Sequence, residues 1–341
     1  MNISSLAKYA IGLTTAGAML AACSSGGSTM SPTTGSGFNT DAAHLGTPMI
    51  HGVLITAEHP NLNGAIAPDK KKHHKKKKPD EYMSNFYGGD LLEFDYPKAD
   101  ASIGTVSNLT DPQGECTGVT SGIGKGSFWV VESGTDTVDQ FKLGGTSPVA
   151  SLSVTAGEPA GCAIDPKTGN LAVSVLSTGA VIVFAGAKGS GTSFSSGLVE
   201  AYFVGYDNKG NLFVDGKNSS SEFGMAELAS GAKSFTPIAP SNSITFPGGV
   251  QFDGKFVTVN DQENHVIDQY TISGSKATLA GSVSLSGSGD CVQTWIGKGD
   301  VFCADATNED GEVYKYPAGG SAIATLTGSF DLPIGAVEIE K

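Results

Sequence analysis

The fold is decided by the last nine residues of the sequence, Pro333-Ile-Gly-Ala-Val-Glu-Ile-Glu-Lys341. From Ala336 onward the side chains alternate roughly between apolar and polar, which is typical of a β-strand with one buried face. A strand needs a hydrogen-bonded neighbour, and no residue after Lys341 provides one. We therefore expect its partner to lie much earlier in the chain.

A repeat of about 44 residues shows where that partner is. A glycine recurs at the start of a strand, at Gly114, Gly161, Gly205, Gly249 and Gly335. The intervals are 47, 44, 44 and 86 residues, and the last is two periods with the middle glycine lost near Cys291. A residue that closes a later strand has the same period: Phe94, Phe141, Phe184, Leu228, Tyr270 and Tyr316. Such a period indicates a repeat architecture.

Each repeat contains signals for four strands. A first strand leads into a turn rich in Asp, Lys and Gly, at residues 165–170, 207–211 and 253–255, and three further strands follow. Four-stranded units of about 40 to 50 residues are typical of β-propeller blades. Five whole blades can be assigned, at residues 111–157, 158–201, 202–246, 247–289 and 290–332.

The sixth blade is divided between two distant parts of the chain. Residues 82–110 contain the strands Leu91–Phe94 and Ile103–Val106 but no first strand, and the final nine residues supply it. We therefore predict an all-β, six-bladed β-propeller of four-stranded blades over residues 82–341. Pairing of the C-terminal strand with the N-terminal segment closes the ring and leaves no blade edge open.

The first 22 residues resemble the signal peptide of a bacterial lipoprotein. An apolar run from Tyr9 to Leu20 is too short to span a membrane, and the ending Leu-Ala-Ala-Cys23 resembles a lipobox. The resemblance implies that Cys23 carries lipid and anchors an exported protein in the membrane of the cell envelope. Ser24 after the cysteine favours the outer membrane or cell surface. A plain signal peptide with an incidental cysteine is the alternative.

Residues 23–81 are predicted to be a disordered tether, because small and polar residues dominate and no apolar period is sustained. Seven lysines and the pair His73-His74 lie between Lys70 and Lys78. This run either lies against anionic lipid headgroups or polyanions, or is a solvated spacer.

The body that follows is acidic, with 13 lysines against 29 carboxylates from Tyr82 onward, and the chain contains no arginine. Proteins that bind nucleic acid depend on arginine and on basic surfaces. We therefore expect no nucleic-acid partner, and we expect a monomer.

Four cysteines remain in the body: Cys116, Cys162, Cys291 and Cys303. An even number in an exported chain makes disulfides plausible, and the pairing 116–162 with 291–303 is weighed against free thiols. Cys291 and Cys303 flank a hairpin turn. A four-residue turn places Cys303 opposite Thr294, so a bulge is needed before Cys291 can reach it.

Residues 256–270, Phe-Val-Thr-Val-Asn-Asp-Gln-Glu-Asn-His-Val-Ile-Asp-Gln-Tyr, resemble an NHL repeat, in which an apolar strand precedes Asp, small or polar residues with Asn, then Val and an aromatic residue. Residues 128–141 and 301–316 are looser copies. The resemblance implies a six-bladed platform for proteins, carbohydrates or RNA. Related six-bladed folds include gluconolactonase-like and paraoxonase-like hydrolases, so the fold alone does not choose the function.

No catalytic residue can be assigned from the sequence. The body has one histidine, His265, and no Gly-x-Ser-x-Gly, which argues against a serine triad or a histidine-ligated zinc. The alternative enzyme is a hydrolase or lactonase that holds Ca²⁺ or another divalent cation at the channel mouth. The possible ligands are Glu115, Glu158, Asp215, Asn260, Asp261 and Asp305.

The recurring aromatic residues are interpreted as core, because one large side chain per blade at one depth is what packing between blades requires. Trp129 and Trp295 are also assigned to the core, although Trp295 can face the channel. The function predicted from the sequence is a lipid-anchored, non-catalytic binding or scaffold module for a protein or glycan ligand.

Overall fold

The computed structural model describes residues 81–118, 126–297 and 299–339, with the backbone of one short antiparallel pair, Met49–Ile50 and Val53–Leu54. The predicted signal segment, Cys23 and the lysine run lie outside the described residues. Within the described ranges, no helix is long and apolar enough to cross a membrane.

The body confirms the predicted all-β, six-bladed propeller. The strands are Pro112–Cys116, Ser127–Glu132, Thr137–Lys142 and Ala150–Ser153 in blade 1; Pro159–Ile164, Leu171–Val175, Ala180–Phe184 and Thr192–Ser195 in blade 2; and Glu200–Tyr206, Leu212–Lys217, Phe223–Leu228 and Thr236–Pro240 in blade 3. They continue with Pro247–Phe252, Val257–Asp261, Val266–Ser273 and Lys276–Ser286 in blade 4, and Cys291–Ile296, Asp300–Asp305, Asp310–Lys315 and Ala324–Leu326 in blade 5. Blade 6 contains Pro333–Glu338, Glu81–Asn85, Asp90–Phe94 and Gly104–Ser107. Short 3-10 turns occur at Ser133–Thr135, Leu176–Thr178 and Ala185–Ala187.

Blade 6 closes the ring as predicted. Its innermost strand, Pro333–Glu338, pairs antiparallel with Glu81–Asn85, and Val337 lies opposite Tyr82. The innermost strand of each blade contacts that of the next, and the strand from blade 6 contacts blades 5 and 1. The strand Glu81–Asn85 was not predicted from the sequence, and it lies between the C-terminal strand and the strand that contains Leu91.

Every innermost strand carries a bulge at the same place, where two of its residues oppose one residue of the second strand. In blades 1 to 6, the second of the two residues in each bulge is Gly114, Gly161, Phe203, Gly249, Gln293 and Gly335, respectively. The predicted repeat mark at Gly205 is therefore two residues too late, because Gly205 pairs with Phe213 beyond the bulge. Blade 3 accordingly begins at Glu200 rather than at residue 202.

The aromatic residue that closes the third strand of blade 5 is Tyr314 rather than the predicted Tyr316. Phe141 pairs with Phe128 and Tyr270 with Val257, and the corresponding residue in blade 5 is Tyr314, which pairs with Val301. Tyr314 is fully buried like its counterparts. Tyr316 lies past the end of the strand and donates a hydrogen bond from its hydroxyl to Asp253 at 2.5 Å.

Parallel pairings join neighbouring blades at the perimeter. Ala239 of blade 3 pairs with Lys276 of blade 4, and Leu285 of blade 4 pairs with Gly320 of the short strand Gly320–Ser321. The last strand of blade 4, Lys276–Ser286, therefore pairs with strands on both sides of its own blade. These pairings cover outer edges that would otherwise expose backbone groups.

Of the two alternatives for the four cysteines, disulfides rather than free thiols are present. Cys116 of blade 1 is bonded to Cys162 of blade 2, and Cys291 is bonded to Cys303 within blade 5. Thr294 pairs with Cys303 and the bulge lies between Cys291 and Thr294, as the sequence required. The first bond links two blades across 46 residues of sequence, a loop length for which a disulfide typically contributes about 2 to 4 kcal/mol.

The alternation of strand direction gives the propeller two chemically different ends. Turns between the first and second strands and between the third and fourth strands lie at one end, which we call the turn end. The loops between the second and third strands and the connections between blades lie at the other, which we call the loop end. The described ends of the body, Glu81 and Ile339, both lie at the turn end.

Candidate functional site

Two side chains at bulge positions cross the centre of the ring. From blade 3, the ring of Phe203 reaches Gly161 and Gly114, so that a Cβ built on Gly161 would lie 2.7 Å from Phe203 Cδ1. From blade 5, Gln293 forms two 2.8 Å hydrogen bonds with the backbone of Glu115 in blade 1, accepting from its N–H and donating to its C=O. The channel is therefore filled at this level.

A cavity of about 390 Å³ opens toward the turn end, and Gln293 is among the residues that line it. This volume lies within the range of small-molecule sites. The apolar lining includes Tyr206, Phe252 and Trp295, together with the Cys116–Cys162 disulfide. Polar lining groups come from Thr117, Asn208, Gln251, Thr294, Asp207 and Asp253. The cavity thus combines aromatic surface with amide, hydroxyl and carboxyl groups.

The Asp-Lys-Gly turns that the sequence identified shape the rim of this cavity. Asp207 Oδ1 accepts hydrogen bonds from the backbone amides of Lys209 and Asn211, at 2.8 and 2.9 Å. Asp253 Oδ1 accepts from the backbone amide of Lys255 at 2.8 Å. Because these carboxylates stabilise the turns that contain them, the rim of the cavity is preorganised for ligand binding.

None of the six carboxylate and amide candidates lines this cavity. Asp215 is buried on the second strand of blade 3, where its Oδ1 accepts from the bulged Phe203 N–H at 2.9 Å. Ser174 performs the same task in blade 2, accepting from the Gly161 N–H at 2.9 Å. Asp215 therefore has the same role in blade 3 as Ser174 has in blade 2: its side chain accepts a hydrogen bond from the N–H of the second bulge residue.

Asn260, at the same position in blade 4, links neighbouring blades. Its Nδ2 donates to the Cys291 carbonyl at 3.1 Å, and its Oδ1 accepts from Thr294 Oγ1 at 2.9 Å. Ser174 makes a comparable contact by donating to the Tyr202 carbonyl at 2.6 Å. Both side chains are occupied by the backbone and side chains of the adjacent blade.

Asp261 and Asp305 organise loops at the loop end. Asp261 accepts from both the backbone amide and the side-chain amide of Asn264. Asp305 accepts from several backbone amides, including those of Asp290 and Asn308 at 3.1 and 2.9 Å. Both carboxylates therefore act as acceptors for loop amides in this structure.

Glu115 and Glu158 lie in different surroundings. Glu115 is fully buried and its Cγ packs near Gly335 of blade 6. Burial raises the pKa of the Glu115 carboxyl well above its usual range, and the nearby backbone amide of Ser84 offsets only part of this effect. Glu158 is half-buried just before the innermost strand of blade 2, and its backbone amide donates to Ser177 Oγ.

A compact group of potential metal ligands occurs in blade 5. In the described body, Cys291, Cys303, Asp305 and Glu312 bring four ligand atoms within 4.8 Å of one another. The two sulfurs are bonded to each other, so they are not thiolate ligands. Of the five carboxylates among the six candidates, this group contains only Asp305.

Paired carboxyl groups recur at one register in three blades. They are Glu132 with Asp139, Asp261 with Asp268, and Asp305 with Glu312, which are diagonal neighbours on the second and third strands rather than direct partners. Burial raises the pKa of Glu132 to about 7, and Asp139 adds to the shift. Burial likewise raises the pKa of Glu312 to about 7, with Asp305 and Asp310 contributing. The blades therefore retain protons on buried carboxyl groups near neutral pH.

We expect the free energy of unfolding to fall as the pH rises from about 4.5 to about 7. In the folded state Glu132 and Glu312 titrate near 7, whereas an unfolded Glu titrates near 4.3, so the folded state binds more protons within this window. Allowing for solvent screening, each group should contribute about 1 to 2 kcal/mol that is present at pH 4.5 and lost by pH 7. Urea unfolding at pH 5 and 8 measures the difference.

The matched variants are Glu132→Gln and Glu312→Gln, which should flatten this pH dependence, and Glu263→Gln on an exposed loop, which should leave it unchanged. A slope that is equally steep in Glu132→Gln and Glu312→Gln would assign the effect to other groups.

The sequence also singled out one histidine and two tryptophans, His265, Trp129 and Trp295, and each has defined contacts in the structure. His265 sits at positive φ in a blade 4 loop, and its Nδ1 lies 2.7 Å from the Gly289 carbonyl. Trp129 is buried in the core between blades 1 and 2. Trp295 lines the cavity, in agreement with the interpretation that it can face the channel. Four residues of the cavity and the channel were not predicted from the sequence: Phe203, Tyr206, Phe252 and Gln293. The nearest sequence signal was the Asp-Lys-Gly turn that follows the innermost strand.

Comparison with known proteins identifies the fold. No family model matches the chain, and no curated protein matches it. A chain in a crystal structure of a nidogen/laminin complex is 14% identical with a TM-score of 0.62, covering 75% of this chain and 97% of that one. A protein of unknown function from Bacteroides caccae is 13% identical with a TM-score of 0.59, covering 78% and 100%. A functionally unknown protein from Desulfotomaculum acetoxidans is 13% identical with a TM-score of 0.51, covering 77% and 99%. At these identities the similarity extends to the propeller fold alone.

Proposed function

We propose that the chain is a lipid-anchored propeller of the bacterial cell envelope that binds a glycan in the turn-end cavity without catalysing a reaction. The lipobox-like Leu-Ala-Ala-Cys23 supports the anchor. The observation that carries the binding function is the lining of the cavity, where Tyr206, Phe252 and Trp295 share a space with amide and hydroxyl groups.

A sugar ring has an apolar face and an edge of hydroxyl groups. Aromatic side chains cover the first, and side chains such as Asn208 and Gln251 supply donors and acceptors for the second. Gln251 is held in place because its amide pairs with the backbone of Ile296, at 2.7 and 3.0 Å. A protein segment that inserts a side chain into the cavity is the other ligand that fits this lining.

The alternative of a divalent-metal-dependent hydrolase has less support. It requires several oxygen ligands around one cation, whereas Asp215, Asp261 and Asp305 already accept hydrogen bonds from backbone amides. The filled channel also separates the cavity from the loop end, where Asp261 and Asp305 lie.

Calorimetric titration of the purified protein with oligosaccharides of bacterial envelopes tests the proposal. We expect one class to bind, and Phe252→Ala to weaken that binding at least tenfold because it removes aromatic contact area. Ile323→Ala, an exposed apolar position outside the cavity, is the control and should bind normally.

Binding that is unaffected by Phe252→Ala would place the ligand elsewhere, and capture of a protein through Phe252 would replace the glycan with a protein ligand. A thermal-shift titration with Ca²⁺ completes the test. We expect no saturable rise in Tm, and a saturable rise that Asp261→Asn removes would favour the hydrolase.

A further inference from the structure

The lysines of the propeller are concentrated at its turn end. Nine of the ten lysines in the described body lie in the turns of this end or at the strand ends beside them, and all nine are exposed. They are Lys98, Lys142, Lys167, Lys188, Lys209, Lys233, Lys255, Lys276 and Lys315. Each of the six blades contributes at least one, so the positive charges surround the axis.

The carboxylates of the turn end are mostly withdrawn from the surface. Within the described ranges, eight carboxylates lie at the turn end. Of these eight, Asp100 is exposed and the other seven are buried or half-buried. Asp165, Asp207 and Asp253 turn inward to accept backbone amides from the lysines two residues later. Apart from Asp100, the exposed charges of this end in the described body are therefore ammonium groups. Two of them, on Lys98 and Lys315, form ion pairs with Asp95 and Asp300 at 2.8 and 2.7 Å.

The loop end has the opposite character. Fourteen carboxylates lie in its loops or at the adjoining strand ends of the described body, against one lysine, Lys217. Glu222, Glu263 and Glu309 are exposed. Lys217 is half-buried and donates to the Thr245 carbonyl. The acidic excess of the described body thus lies at the end away from the exposed lysines.

In the sequence, the lysine run comes just before the strand Glu81–Asn85, which starts at the turn end. Lys78 precedes Glu81 by three residues, and three residues span at most about 11 Å. Glu81 is the first residue of a strand that starts at the turn end, opposite Glu338. The lysine run of the sequence is therefore connected to the described body at the turn end, through Glu81.

We infer that the turn end is a docking surface for an anionic lipid bilayer, with the loop end directed away from it. Lysines near an anionic surface are each attracted to it, while the carboxylates of the loop end are repelled. This orientation goes beyond the proposed function and does not depend on glycan recognition. Where both hold, the cavity is presented to carbohydrate carried on the membrane.

Amine footprinting of the full-length protein on vesicles tests the orientation. Vesicles of phosphatidylcholine alone are compared with vesicles containing about one third phosphatidylglycerol, and acetylation of each lysine is measured by mass spectrometry on the bound fraction. We expect Lys142, Lys209 and Lys255 to react several-fold more slowly on the anionic vesicles, with Lys217 unchanged. Raising the salt from 50 to 500 mM should remove the protection, because a shorter Debye length screens the attraction.

Charge variants provide the second measurement. Replacing Lys167, Lys209 and Lys255 by Gln should weaken binding to anionic vesicles by about fivefold per lysine, whereas Lys217→Gln should not change it. Equal reactivity on both vesicle types, or equal protection of Lys217, would overturn the inference. So would protection by heparin without protection by vesicles, which would indicate polyanion recognition. Failure of these tests leaves the glycan titration unaffected, so the two proposals are judged separately.

Discussion

Removal of the last nine residues, Pro333 to Lys341, is expected to abolish the cooperative unfolding of the propeller rather than to loosen one terminus. These residues form the innermost strand of blade 6, which contacts blades 5 and 1 on either side. Ile334, Ala336 and Val337 are at most 1% exposed. Their loss opens the ring, uncovers the strand Glu81–Asn85, and leaves an unpaired edge at the centre of the molecule.

Near-ultraviolet circular dichroism and thermal unfolding measure this effect, and removal of Glu340 and Lys341 alone is the control. These two residues follow the paired strand Pro333–Glu338, so the shorter truncation should unfold like the full chain. Val337→Asp gives the same test by a single substitution, because a buried, unpaired carboxyl group at this position should cost about 3 to 5 kcal/mol. A nine-residue truncation that keeps a sharp transition at the original temperature would show that the ring does not depend on closure.

Ring closure could be predicted from the sequence because it follows from the number of strands in each repeat. A period of about 44 residues, four strands per unit and an incomplete unit at each end leave one way to complete the last blade. The register inside the blades was less accessible. Gly205 was taken as a repeat mark, but it is small because a Cβ there would lie 2.6 Å from the Val250 carbonyl of the next blade. The true bulge position in blade 3 is occupied by a large residue, Phe203.

The candidate site shows a different limit. The sequence does not distinguish a carboxylate that binds a metal from one that accepts a hydrogen bond from a backbone amide. In the structure, Asp215, Asp261 and Asp305 accept such hydrogen bonds. Contacts across the axis are also invisible to a repeat analysis, because they join blades that are not neighbours. Gln293 reaches Glu115 across 178 residues of sequence, and no periodic signal connects them.

Truncation of Phe203 should be the most costly single change to alanine at the centre of the molecule. Its ring is 2% exposed and extends from blade 3 over Gly161 of blade 2 toward Gly114 of blade 1. Phe203→Ala should lower the free energy of unfolding by about 3 to 5 kcal/mol, because it removes apolar contact and leaves a cavity among three blades. Urea unfolding followed by tryptophan fluorescence measures the loss.

A double-mutant cycle shows whether the ring itself fills the centre. Gly161→Ala places a Cβ 2.7 Å from Phe203 Cδ1, an overpacking that should cost about 1 to 3 kcal/mol. Phe203→Ala removes the contact with the ring, whereas the 3.1 Å contacts with Phe203 Cα and the Tyr202 carbonyl remain. The two losses should therefore fall short of their sum by about 1 kcal/mol. Phe194→Ala, a partly buried ring on the outer strand of blade 2, is the matched control and should combine additively with Gly161→Ala. Additivity in both cycles would mean that the Phe203 ring does not occupy the space that Gly161 leaves open, and the channel could not then be filled in the way the structure shows.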